Sequence, residues 1–177
     1  MDPHTGRVFE PSAIDAVVFD IGGVFLVPHP DPVRELLVPL GFELLDDAAF
    51  HRAHYRGAHA VSALEFGERD PRFWLHYAEV YLAEIGVPGE HLPACLEQWP
   101  ALNQRPVHET WRWVQEHNVR ALARFVEAAM PMAVVSNNDG TAPYQLELFG
   151  VCQVGDGPHV SVAAIVDSGA VGVAKPD

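Results

Sequence analysis

An aspartate at the end of a short apolar run is the first residue in this chain whose position suggests chemistry. Ala16-Val17-Val18-Phe19 reads as a buried strand because of its two β-branched valines, and it stops on Asp20, followed by Ile21-Gly22-Gly23-Val24. An ionised carboxylate is thereby placed at a strand's carboxyl end, before a flexible Gly-Gly turn. In open parallel α/β sheets that rim is where ligands bind, because the loops diverge there and leave a crevice. A carboxylate so placed can act as a nucleophile, forming an acyl phosphate or an ester that water later cleaves. Attack on a phosphate dianion meets like-charge repulsion, so it needs cations: magnesium with oxygen ligands, or a well-placed lysine. Two later stretches offer complementary groups. Met132 to Val135 is a second apolar run, and it stops on Ser136-Asn137-Asn138-Asp139-Gly140. Ser136, Asn137 and the amides of the turn after Asp20 can all donate to phosphate oxygens. In Val173-Ala174-Lys175-Pro176-Asp177, Lys175 can neutralise both the nucleophile and the charge of a loose phosphoryl-transfer transition state. Singly, each of these groups is ordinary loop chemistry; their combination is what carries weight.

The elements that must position these residues follow from the chain in order. After Val24 to Val27 the chain meets Pro28-His29-Pro30-Asp31-Pro32, where proline density forbids regular structure. Asp31 and Pro32 predict a helix start, with a helix to about Leu40 ended by Gly41. Asp46-Asp47 opens a second helix to about Leu64, closed by Gly67. Asp70-Pro71 opens a third, in which Phe73, Trp74, Tyr77, Val80, Tyr81 and Ile85 recur on one face, with Gly86 past its end. A weaker helix runs from Gly89 or Glu90 to about Ala101. Between Asp31 and about Pro106 there is thus a helical block without a strand candidate. Trp111, Trp113 and Val114 then mark re-entry into a packed layer, and Asn118 is the expected cap of a helix ending at Met130-Pro131. A helix from about Pro143 to Phe149 follows the second strand, and Val160 to Val166 reads as a third strand. Alternating strands and helices with short connections imply right-handed crossovers and an α/β fold with a parallel sheet. All strand ends of such a sheet share one rim, so Asp20, Ser136 and the segment before Lys175 are expected to converge.

Composition narrows the field further. The chain has 177 residues, long enough for one domain or one domain carrying an insertion. Its formal charge of −13 comes from 24 acidic and 11 basic residues, with no basic cluster, which argues against binding along a nucleic-acid backbone. Cys95 and Cys152 lack metal-ligand spacing and are expected as free thiols in a reducing compartment. The polar, proline-containing stretch from Met1 to Pro11 is neither a signal peptide nor an anchor, and the apolar runs are too short to span a bilayer. The expectation is a cytoplasmic protein that acts on a small molecule, with no membrane or nucleic-acid partner. Its oligomeric state is left open.

Taken in order, Val-Val-Phe-Asp-Ile-Gly-Gly-Val, Val-Val-Ser-Asn-Asn and Val-Ala-Lys-Pro-Asp resemble the first three motifs of the haloacid dehalogenase-like (HAD) hydrolase superfamily. The gaps suit the branch that inserts a helical bundle cap between the first two motifs, and the resemblance spans essentially the whole chain. It implies a Rossmann-like parallel sheet core from residues 1–27 and 111–177, incomplete at the C-terminus, with a helical cap over 28–110. It also implies a nucleophilic Asp20, with Ser136, Asn137 and Gly23 as substrate donors and Lys175 as the charge-stabilising lysine. Magnesium would be held by the Asp20 carboxylate and the Gly22 carbonyl, and the substrate would be a small phosphorylated metabolite.

Two departures from that pattern set further expectations. The family's phosphatases usually carry a second Asp two residues after the nucleophile as general acid, where this chain has Gly22. A general acid contributes about 10² to 10⁴-fold, so phosphomonoesterase activity should be weak. His29 or His54 could replace it, although surface or packing roles suit them better. The family's fourth, acidic motif would fall on a strand beyond Asp177. The 177-residue chain is therefore expected to bind magnesium poorly, to be catalytically impaired and to expose one edge of its first strand. Two alternatives remain. A dehalogenase, with Asp20 displacing halide from carbon, needs neither acid nor metal, but its usual Tyr-Gly-Thr-like first motif is not matched by Ile21-Gly22-Gly23-Val24. A non-catalytic binding or interaction relative is the other. In the helical block, His51, His54, Tyr55, His59, Trp74, His76, Tyr77 and Tyr81 could serve substrate choice and water exclusion, or simply pack the helices.

Overall fold

The computed structural model describes residues 14–42, 46–65, 67–68 and 70–175. The expectations for Met1 to Pro11, and for Pro176 and Asp177 of the third motif, fall outside the described residues. The chain divides into two compact units, one of residues 26–115 and one of residues 1–25 with 116–177. The sequence places these boundaries after residues 27 and 110. The difference arises because strands β2 (Leu26–Val27) and β3 (Trp113–Val114) pair with each other, antiparallel, and so belong to the inserted unit. Strand β1 (Val17–Phe19) precedes them in the other unit.

Among the described residues of 26–115, the regular elements are helices apart from that two-stranded ladder. Helix α1 (Pro30–Leu37) starts two residues before its expected position. His29, not Asp31, is the N-cap: its Nδ1 accepts from the Asp31 N–H at 3.3 Å, and Pro30 takes the first helical position. A 3-10 turn over Val38–Leu40 ends on Gly41 at φ +83°, a conformation glycine adopts without steric cost. Helix α2 (Asp47–Val61) is capped by Asp46, whose carboxylate accepts from Ala49 N at 2.7 Å. It stops at Val61, short of the expected Leu64. Helix α3 (Pro71–Glu84) is capped by Asp70. The weaker helix is two pieces, α4 (Leu92–Gln98) and α5 (Pro100–Asn103), because Pro100 has no N–H for the ladder. Helix α6 (Val107–Thr110) precedes β3. The core of this unit lies between α2 and α3 and includes Phe50, Ala53, Tyr77, Ala78, Tyr81 and Leu82. The two helices approach so closely that a Cβ on Gly57 would sit 2.8 Å from the Tyr77 ring.

The other unit is mixed α/β. After β1 come α7 (Glu116–Glu127), β4 (Met132–Ser136), α8 (Ala142–Leu148), β5 (Cys152–Val154), β6 (Val160–Val162), β7 (Ala164–Asp167) and α9 (Ser168–Val171). Strands β1, β4 and β7 form a parallel sheet in the order β1-β4-β7, with Phe19 paired to Val134 and Ser136 to Asp167. Parallel pairing requires crossovers, which α7 and α8 provide. Asn118 lies within α7 and is not its cap; its Nδ2 donates to the Val24 carbonyl at 2.7 Å, tying the turn after β1 to this helix. Phe19 meets Phe25 and Phe125 edge-on, both at 5.4 Å between ring centroids. The expected third strand is interrupted at Ala163 because the chain changes partner there: β6 runs parallel to β5 and β7 parallel to β4. Strand β1 is an outer strand of its sheet among the described residues, with Val18 63% exposed. No helix among the described residues is long and apolar enough to cross a membrane.

Candidate active site

Parallel strands deliver their carboxyl ends to one rim, and the residues that could do chemistry meet at the rim of β1 and β4. Asp20 leaves β1 directly, and its Oδ1 accepts from the Ile21 N–H at 2.7 Å. Its Oδ2 lies 2.8 Å from Lys175 Nζ, and both side chains are partly exposed, so the pair is open to solvent and ligand. Lys175 Nζ also donates to the Val135 carbonyl at 3.2 Å, which anchors the ammonium between β4 and the carboxylate. Two charges at this distance hold each other in place, and removing either would leave the other free to swing into water.

Asn137 has a different place from the one its sequence position suggests. Its Oδ1 accepts from the Lys175 N–H at 2.8 Å, and its Nδ2 donates weakly to the Lys175 carbonyl at 3.5 Å. The side chain therefore grips the backbone of the lysine. Ser136 closes β4 and is 6% exposed, and no described residue hydrogen-bonds its hydroxyl. Gly22 is exposed, and Gly23 turns the chain at φ +74°, followed by a return in which Phe25 N donates to the Ile21 carbonyl at 2.9 Å. The structure thus brings Asp20, Lys175 and Asn137 into one network, with Ser136 at the neighbouring strand end and Gly22 and Gly23 in the turn beyond Asp20.

The residue that sequence reading passed over is Asp167. It ends β7, is 2% exposed, and accepts three backbone N–H bonds, from Gly140 at 3.0 Å, Gly169 at 2.8 Å and Ala142 at 2.8 Å. A buried carboxylate is tolerable only when its lone pairs are occupied in this way. It clamps the loop after β4 to the start of α9. Ser168 reinforces the clamp by accepting from Asn138 N and donating to the Asn138 carbonyl, and Asn138 Nδ2 donates to the fully buried Gln145 at 3.0 Å. Gly169 admits the close approach, since a Cβ there would lie 2.5 Å from Gly140 N. The available signal was a strand ending on Asp-Ser-Gly, the same punctuation that drew attention to Asp20.

The two histidines considered as replacement acids are placed otherwise, in the 26–115 unit. His29 caps α1, and burial is the main reason its pKa lies below the ordinary value, consistent with a neutral ring that accepts from Asp31 N–H rather than pairing ionically with the nearby carboxylate. His54 is buried beside Tyr77, with Nδ1 and the phenol oxygen 3.0 Å apart. Burial, aided by the charge of His51, pushes its pKa down to about 4. A histidine so poised is a neutral imidazole at neutral pH and lacks the imidazolium proton that a general acid would give. No family model matches the chain, and no curated protein sequence matches it.

Proposed function

We propose that this protein is a hydrolase of the HAD-like class, with the parallel sheet as a Rossmann-like core and residues 26–115 as its helical cap. More particularly, we read it as acting on a small phosphorylated metabolite through a covalent intermediate on Asp20. The observation that carries the reading is the 2.8 Å pair of Asp20 and Lys175 at the rim of β1, made between residues from opposite ends of the chain and steadied by Asn137. Asp20 attacks phosphorus as the ester P–O bond breaks; the leaving alkoxide takes its proton from water. A water then attacks the phosphorus of the aspartyl phosphate, releasing inorganic phosphate and restoring the carboxylate. Lys175 offsets the charge that builds on the phosphoryl oxygens, and Ser136 and the turn amides at Gly23 donate to them.

Magnesium suits the donors here in kind, since the Asp20 carboxylate is partly exposed and the exposed Gly22 offers a carbonyl, both hard oxygen ligands. Among the described residues no group of three His, Cys, Asp or Glu side chains converges to hold a metal, so phosphate and water would supply the remaining positions. When bound, the ion supplies charge neutralisation between carboxylate and phosphate. Gly22 offers no general acid, so turnover is expected to be slow for alkyl esters and faster for phosphates whose leaving group needs no proton. Two free, buried thiols, Cys95 and Cys152, support a cytoplasmic setting.

The test is phosphate release from acetyl phosphate and from a panel of alkyl phosphates in magnesium, for the wild-type chain and for Asp20→Asn. The expected result is magnesium-dependent release that favours acetyl phosphate and falls by at least about 10²-fold in Asp20→Asn. Equal release by both proteins overturns the proposal. Halide release from 2-haloalkanoates without magnesium would assign the carbon-centred reaction instead.

A further inference from the structure

Residues 26–115 line a partly open cavity of about 250 Å³. Five aromatic side chains form much of its wall: Trp74, Tyr77, Tyr81, Trp99 and Trp111. They pack against one another rather than filling the space, with centroids 5.8 Å apart for Trp74 and Tyr77 and 5.6 Å apart for Tyr81 and Trp99. The wall carries unmet polarity. Trp99 is 5% exposed and Tyr81 fully buried, yet neither the indole Nε1 nor the phenol Oη has a hydrogen-bond partner among the described residues. Buried polar atoms without partners are uncommon in folded proteins and call for an explanation, an absent ligand being one. Of the ionised side chains, Arg105 alone lines the cavity among the described residues, and one of its N–H groups is engaged, by Glu35 at 2.9 Å.

We propose that this cavity is a binding site for a small aromatic acid, with one ring lodged among the aromatic side chains and a carboxylate turned toward Arg105. The size fits, since an apolar cavity of about 150 Å³ holds a benzene, and the volume here leaves room for a ring with a short acidic arm. A ring also suits a wall whose faces and edges can engage it in offset or edge-on contact. Aromatic cages elsewhere bind quaternary ammonium groups. Here the charged group on the lining is the Arg105 guanidinium, while its partner Glu35 is not part of the lining, so an anion suits the site better than a cation. A guanidinium and a carboxylate match in two-pronged geometry, which gives the site its charge selectivity. The site is built wholly from residues 26–115 and stands independently of the hydrolase reading.

Three of the chain's four tryptophans lie in this wall, so intrinsic fluorescence reports on the cavity. The full chain is titrated with phenylacetate, benzyl alcohol and benzyltrimethylammonium, which share a ring and differ in charge. Phenylacetate is expected to give a saturable change at one site, with benzyl alcohol weaker by about tenfold and the cation without effect. Arg105→Gln should lower phenylacetate affinity to that of benzyl alcohol. Val107→Phe, which fills the lining, should abolish both responses. If circular dichroism shows that Val107→Phe has not folded, the partly exposed Arg105→Gln decides the matter. No saturable response to phenylacetate, binding of the cation as tight as that of the acid, or phenylacetate affinity unchanged in Arg105→Gln each overturns the proposal.

Discussion

Lys175 Nζ is shared between the Val135 carbonyl and the Asp20 carboxylate, while Asn137 grips the same residue through its backbone. Position and charge are thus assigned to different side chains. In the proposed hydrolase, Asn137→Ala should lower kcat by about tenfold to 10²-fold through misplacement of the ammonium, with little change in KM or melting temperature. Steady-state kinetics and thermal melts check this. Asp20 and Lys175 could be found in the sequence because a carboxylate at a strand end and a lysine near a later one have few reasons to be singled out together. Asn137 could not be assigned in advance: an amide after a strand serves equally well as a ligand donor or as a backbone clip, and only its partners separate the two. His54 makes a second prediction at this scale. Its pKa of about 4 in the folded state lies below the value of an unfolded histidine, so the unfolded chain binds the proton first as pH falls. Stability from this group is complete above about pH 6.5 and is lost progressively toward about pH 4, by up to about 3 kcal/mol. Urea unfolding at several pH values should show that slope in the wild type and lose most of it in His54→Gln.

Helices α2 and α3 are held at a separation that only glycine permits at position 57. In an isolated helix Gly→Ala would gain about 1 kcal/mol. Here the added methyl meets the Tyr77 ring at 2.8 Å, and Tyr77 is buried and bonded to His54, so it has little freedom to retreat. Gly57→Ala is expected to destabilise the protein by about 1–3 kcal/mol, measured by chemical denaturation. Asp167 is the corresponding device in the sheet unit. Asp167→Ala strands three backbone N–H groups and should cost about 3 kcal/mol or more, while Asp139→Ala, on an exposed residue of the same loop, should cost far less. The elements with caps and long periodic faces, α2 and α3, were legible in outline from the sequence. The missed ones have physical causes. Strand β5 is three residues with the polar Gln153 buried at its centre, which hides any alternation, and its Oε1 is occupied by the His159 N–H at 3.2 Å. The run from Val160 to Val166 shows no sequence break at Ala163, because the interruption comes from a change of pairing partner, and composition does not record that.

At the scale of the whole molecule, the insertion of residues 26–115 separates β1 from every strand it belongs with. The ends of that insertion are one ladder apart: Leu26 faces Val114 and Val27 faces Trp113 across the β2–β3 pair. This juxtaposition sets the order in which the chain can organise itself. Forming the β1–β4 pairing first would close a loop that includes the whole unfolded insertion, whereas a folded insertion with adjoining ends leaves only residues 20–25 and 116–131 to be closed. The saving in closure entropy is about 1.4 kcal/mol, enough to accelerate sheet formation by about tenfold if it falls in the rate-limiting step. The helical unit therefore acts as an internal splint for the sheet. Stopped-flow refolding of Gly57→Ala should show the sheet assembling more slowly although the substitution touches none of its strands, and grafting a two-residue hairpin turn between Val27 and Trp113 in place of the intervening helices should restore rapid sheet formation. The two-residue ladder at the foot of the insertion is thus a folding element whose influence lies outside the unit that contains it.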